Sequence, residues 1–108
     1  MFNPLKMQEM LSQANQAQEE MQRKLAETVV EGSSGGGAVT VSMNGKKQIL
    51  RLHIDSSAVL SLSGSQTDVE MLEDLIVAAV NDAGRRAEEA IQSNVKSLLG
   101  GLNLPGLG

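Results

Sequence analysis

From residue 5 to 28 the chain places Met7, Leu11, Ala14, Gln18, Met21, Leu25 and Thr28 at alternating spacings of four and three. That is the seam of a helix that lies lengthwise on another surface. Ala14 and Gln18 thin its middle, so the predicted helix, about residues 5–26, needs a docking surface to be stable. Asn3 and Pro4 stand where an N-cap and a first helical residue belong. Around the seam lie Gln, Glu, Arg23 and Lys24, an ordinary wet face.

At Glu27 the period changes. Thr28, Val29 and Val30 are β-branched and precede GSSGGG, Gly32 to Gly37, which reads as a first strand followed by a flexible connection. Next comes VSMNGKKQILRLHID, Val41 to Asp55, two alternating runs around Asn44-Gly45, the preferred pair for a two-residue type I′ turn. Such a turn sets Met43 opposite Lys46, Val41 opposite Gln48 and Val39 opposite Leu50. Val39, Val41, Met43, Leu50, Leu52 and Ile54 then line the core face. Ala38, Thr40, Ser42, Lys47, Ile49, Arg51 and His53 line the open one. The strands are expected within about residues 27–55.

A polar stretch from Ser56 to Gln66, broken by Ala58-Val59-Leu60, leads to Thr67 and Glu70, spaced as a capping box. The helix expected from there, about residues 68–98, buries Val69, Leu72, Leu75, Ile76, Ala79, Val80, Ala83, Ala90 and Ile91 at helical spacing. Asp68, Glu70, Glu73 and Asp74 complement the positive end of its dipole. Gly84 is a weak point within it. Gly100-Gly101 is expected to end the helix and open a flexible tail over 100–108. The pattern is α+β, in the order α-β-β-β-α, with a three-stranded antiparallel sheet between long N- and C-terminal helices, one domain over residues 1–99.

Composition narrows the function. One Phe, no Trp or Tyr and no Cys among 108 residues argue against aromatic stacking platforms, thiol chemistry and cysteine-held zinc. A core built from aliphatic side chains in so short a chain gains from a partner chain. No apolar run reaches the roughly 20 residues of a membrane span, and no secretory signal opens the chain, so a cytoplasmic protein without a membrane partner is expected. The formal net charge is −4, but residues 1–54 carry six basic and five acidic side chains whereas 55–108 carry three and eight.

A catalytic constellation does not assemble. His53, the one histidine, sits on the outward strand face with no second metal ligand, and Asp55 stands where a carboxylate caps a turn. GSSGGG lacks the Lys-Ser/Thr and the helix of a phosphate loop. Glu73-Asp74 and Glu88-Glu89 are adjacent on a helix and diverge by about 100°. Met7, Met10, Met21, Met43 and Met71 serve as packing residues. No enzyme activity, cofactor, metal or small-molecule substrate is expected. What remains is basic: Lys46, Lys47 and Arg51 on the hairpin, Arg85 and Arg86 on the second helix, and Lys6, Arg23 and Lys24 on the first. Lys47 and Arg51 share the expected open face about 13 Å apart, within reach of one phosphate backbone; hairpin tips are also lysine-rich simply to stay hydrated.

FNPLKMQEMLSQANQAQEEMQRKL, VVEGSSGGGAVTVSMNG (Val29 to Gly45), LHID (Leu52 to Asp55) and MLEDLIVAAVNDAGRRAEEA (Met71 to Ala90) together resemble the YbaB/EbfC nucleoid-associated proteins. Asn81, Asp82, Ala83, Arg85 and Arg86 match that family's helix motif, and Gly32, Gly36, Gly37, Asn44, Gly45, Ile54 and Asp55 its strand region. The resemblance implies an α-β-β-β-α homodimer shaped like tweezers, binding double-stranded DNA in the bacterial cytoplasm and associating with the nucleoid. The matching positions look more like fold-makers than DNA readers, so the resemblance carries over the fold; the candidate DNA contacts are the basic side chains Lys46, Lys47, Arg51, Arg85, Arg86, Lys6, Arg23 and Lys24. The rival reading is a protein-interaction adaptor that uses its helices, with DNA contact incidental.

Overall fold

The computed structural model describes residues 3–62 and 64–101. Asn3 and Pro4 open the first helix as their chemistry dictates: the Asn3 Oδ1 accepts the Leu5 N–H at 3.1 Å and Pro4 occupies the first turn. Helix α1 runs Pro4–Glu27, and Thr28 closes it by donating both its N–H and its hydroxyl to the Lys24 carbonyl. None of its residues is buried. Strands β1 (Val29–Ser34), β2 (Val39–Asn44) and β3 (Ile49–Ile54) form an antiparallel sheet in the order β1-β2-β3. A short helix α2, Ser56–Leu60, occupies the apolar island, and α3 spans Gln66–Gly101.

Half of the expected glycine-rich connector is strand. Gly32, Ser33 and Ser34 pair with Val41, Thr40 and Val39, leaving a tight turn over 35–38. Gly35, Gly36 and Gly37 take φ of 62°, 67° and 100° in succession, a run that side chains resist and glycines do not.

The second hairpin departs from the expected register. Its loop holds three residues, Gly45 to Lys47, between Asn44 and Gln48, and the left-handed residue is Lys47 at φ 63°. This is the turn followed by a left-handed residue that three-residue hairpins favour. One more residue is absorbed by a bulge between Met43↔Ile49 and Ser42↔Arg51, so Val41 faces Leu52 and Val39 faces Ile54. Three loop residues plus one bulge make an even shift. Leu52 and Ile54 therefore keep their expected face, whereas Ile49 crosses to share the face of Met43.

The core is small. Val39, Val41 and Met43 of β2 are buried with Ala79, Ala83 and Ala87 of α3, and Val30, Ile54, Leu72, Leu75, Ile76 and Val80 pack around them. The alanines recur every four residues, which makes one flat stripe along α3. Gly32 completes the fit: a Cβ there would stand 2.2 Å from the Ala83 nitrogen and 2.7 Å from the Ala79 carbonyl oxygen. Helix α3 thus rests backbone to backbone on β1, and the Ser34 hydroxyl donates to the Leu75 carbonyl at 2.5 Å.

Helix α3 covers β1 and β2 but not β3. Ile49, Leu50 and Leu52 remain 51%, 52% and 39% exposed. Helix α1 leans on the sheet only near its last turn, where Met21, Leu25 and Thr28 are half-buried, while Leu5, Met7, Met10 and Leu11 stay exposed. The radius of gyration is accordingly 20.9 Å, where a compact chain of this length has about 13 Å.

Two boundaries move. The Ser65 hydroxyl, not that of Thr67, accepts an N–H of the opening turn of α3, from Asp68 at 3.2 Å, and Thr67 already lies inside the helix. Glu70 then reaches the Gln66 amide. Helix α3 also passes through Gly100 and Gly101, since glycine lowers helix propensity by about 1 kcal/mol without forbidding the conformation. The rest of the expected tail, 102–108, lies outside the described residues.

Two glycine substitutions should separate close approach from open space. Gly32→Ala should cost about 1–3 kcal/mol or more in a denaturant titration, because two backbones must part. Gly84→Ala, where a Cβ meets nothing within 4 Å, should gain about 0.5–1 kcal/mol.

Candidate nucleic-acid interface

The β2–β3 loop is built around one side chain. Asn44 is buried; its Oδ1 accepts the N–H groups of Lys46 at 2.9 Å and Gln48 at 3.0 Å, and its Nδ2 donates to the Gln48 Oε1 at 2.8 Å. The loop is thereby rigid at its base and presents Lys46 and Lys47 outward. Gly45 serves contact rather than turn geometry. Its N–H donates to the carbonyls of Leu25 at 2.8 Å and Thr28 at 2.9 Å, and a Cβ there would lie 2.8 Å from the Leu25 oxygen.

This dock brings the last turn of α1, which carries Lys24, against the base of the loop that carries Lys46 and Lys47; Arg23 is exposed one residue before that turn. On the other flank the Lys47 ammonium meets the Glu88 carboxylate of α3 at 2.7 Å. Lys47, Asn81, Arg85 and Glu88 line one open groove whose floor is Met43, Val80 and Gly84. Lys24, Lys46, Lys47 and Arg85 therefore gather at one end of the sheet, contributed by three separate elements.

The other candidates are dispersed. Arg51 faces Ser42, which in turn faces Glu31, on the side of the sheet away from α3. The expected common face of Lys47 and Arg51 does not exist, because the three-residue loop removes Lys47 from the strand. Lys6 lies in the first turn of α1, about 27 Å along the helix from Lys24. Arg86, like Arg85, is directed onto Asp82, at 3.3 Å and 2.9 Å respectively.

Asp82 joins two elements. Its Oδ2 accepts the Ser33 N–H at 3.0 Å, satisfying a donor on the outer edge of β1, while both carboxylate oxygens face guanidinium groups. The Ser33 N–H chiefly, and the arginines after it, hold its carboxyl below the ordinary value of 3.8, against partial burial that pushes the other way. Ala83 beside it is the contact for Gly32. The NDA-x-RR run thus seats the helix on the sheet, and a single carboxylate opposite two arginines leaves net positive charge on that turn.

Sequence reasoning misses Ser33, Ser34 and Glu88. The serines sit in a stretch that reads as a connector, although the small residues Gly32 and Ser34 continue the inward phase of Val30. Glu88 reads only as one of an adjacent, diverging pair on the helix, and nothing local marks it as the partner of Lys47. His53 is exposed on the open face, and the Asp55 carboxylate accepts the Ser57 hydroxyl. Among the described residues no three His, Asp or Glu side chains converge as a metal site, and no helix is long and apolar enough to cross a membrane.

Asp82 carries a pH signature. Its folded pKa is depressed, so its contribution is complete above the unfolded value near 3.8 and is lost as pH falls through the lower folded value. Asp82→Asn should lower stability at neutral pH and flatten the acid limb of a pH series of thermal midpoints below about pH 4; an unchanged acid limb would assign that limb to other carboxylates.

The arrangement has known counterparts. A nucleoid-associated protein of Acidobacterium capsulatum is 71% identical over 96% of each chain, and one of Koribacter versatilis is 51% identical over 91% of this chain and 92% of its own. The crystal structure of an uncharacterized Helicobacter pylori protein, 23% identical, superposes with a TM-score of 0.68 over 92% of this chain and 99% of that one, which shows the shared fold. Residues 2–102 match one family model across the helices, the sheet and the loop just described, and the chain belongs to the YbaB/EbfC DNA-binding family.

Proposed function

We propose that this chain is a nucleoid-associated protein that binds double-stranded DNA as a homodimer, mainly through the phosphate backbone. Family membership is the observation that carries the reading. The placement of Lys24, Lys46, Lys47 and Arg85 at one end of the sheet supports it from the geometry, since cations near one another can neutralise neighbouring phosphates. The chain has no Trp or Tyr to stack on bases and the gathered cations are mostly lysines, which favours backbone contact over base reading. Organising the chromosome, with consequences for transcription or repair, follows from binding of this kind.

The second copy has a natural seat. Strand β3 offers an unpaired backbone edge and an apolar face that α3 does not reach, and edges of this kind invite another chain. Two copies double every basic cluster. Leu52→Glu places a charge on that face, and sedimentation should shift from dimer to monomer; a dimer that survives would put the interface elsewhere.

Salt dependence is the decisive measurement. If a dimer neutralises around six phosphates, log affinity against log salt has a slope of about −5. Lys46→Gln with Lys47→Gln should flatten that slope by about 1 for each phosphate no longer neutralised, and Glu88→Gln, which frees Lys47, should strengthen binding. The exposed seam of α1 favours the adaptor reading instead; that reading predicts no retention of duplex at moderate salt.

A further inference from the structure

We infer that Asn44-Gly45 is a site of spontaneous deamidation that the docking of α1 holds closed, so that release of α1 exposes the loop carrying Lys46 and Lys47 to irreversible chemical change. Asparagine followed by glycine is the pair most prone to this reaction, because no side chain shields the following nitrogen. The Gly45 nitrogen, its proton passed to a solvent base, attacks the Asn44 Cγ; the N–Cγ bond forms, the Cγ–Nδ2 bond breaks and ammonia leaves. Water then opens either carbonyl of the resulting succinimide to give aspartate or isoaspartate. No enzyme or cofactor takes part.

Both reacting groups are restrained in this fold. The Gly45 N–H is shared between the Leu25 carbonyl of α1 at 2.8 Å and the Thr28 carbonyl at the junction with β1 at 2.9 Å, so losing its proton breaks the hydrogen bond that anchors the last turn of α1. The Asn44 side chain, 3% exposed, cannot turn its Cγ onto that nitrogen without leaving the Lys46 and Gln48 N–H groups and the Gln48 side chain. Helix α1 buries none of its residues, so its last turn is expected to open at less cost than global unfolding.

The product cannot rebuild the loop. An aspartate at 44 has no Nδ2 to donate to the Gln48 Oε1 and sets an oxygen there instead. An isoaspartate adds a backbone carbon between the strand and Gly45, which displaces the anchor of α1.

The test follows the tryptic peptide from Leu25 to Lys46 by mass spectrometry in the full-length protein, alongside hydrogen exchange of the Gly45 N–H. The folded chain should deamidate about tenfold or more slowly than the same chain in denaturant. Leu25→Ser, which loosens the contact of α1 with Gly45 while circular dichroism reports the sheet, should raise both rates together. If that variant unfolds, the wild-type protein in mild urea serves: deamidation should track Gly45 exchange well below global unfolding. Equal rates in folded and denatured protein would overturn the inference, as would a rate that stays flat while Gly45 exchange quickens.

Discussion

Everything in this small fold depends on how closely α3 lies on β1. With Gly32 under Ala83 the two backbones touch, and the alanines at 79, 83 and 87 keep the contact flat along about two turns. Close approach comes with a loss of volume, because alanine and glycine bury little apolar surface and leave Val39, Val41 and Met43 as the larger part of the core. One helix is about as wide as two strands, so α3 seated over β1 and β2 leaves Ile49, Leu50 and Leu52 of β3 exposed.

The electrostatics follow the same logic. Asp82 sits one residue before Ala83, where it meets both the edge N–H of Ser33 and the two arginines on the next turn. A chain of net charge −4 thereby uses one acidic residue to hold its own frame together. At the other end of the sheet, Lys47 is shared with Glu88, an exposed pair worth only about 0–1 kcal/mol. Such a pair orients a lysine without committing it.

Much of the fold is legible in the residues. Period 3.6 and period 2 patterns are direct consequences of which face meets the core, so the order of two long helices around three antiparallel strands is legible from them. Asn3 and Pro4 act locally and are legible for that reason. The departures share a cause: local geometry is what a residue type announces, and in each case a distant neighbour sets the role. Gly45 has the look of a turn former, but its lack of a side chain is required by Leu25. Gly32 to Ser34 have the look of a linker, but they are the seat of α3. Of the basic candidates, Lys46 and Lys47 are legible as a pair; that Lys24 and Arg85 join them while Arg51 does not depends on tertiary contacts and on a loop one residue longer than the Asn-Gly pair suggests.

Helix α1 can also be considered as a mechanical part. Twenty-four residues make a rod about 36 Å long, held at one end by a hydrogen-bonded glycine. For a rod of that length each 10° of rotation about its anchor carries the free end through about 6 Å, close to the width of a minor groove. Lys6 rides on that free end while Lys24 stays near the pivot, so the span between the two sets of positive charge and the sheet is adjustable by a small change in angle. The angle of the rod is set at its joint with β1, where Met21 and Leu25 pack and where the carbonyls of Leu25 and Thr28 accept the Gly45 N–H.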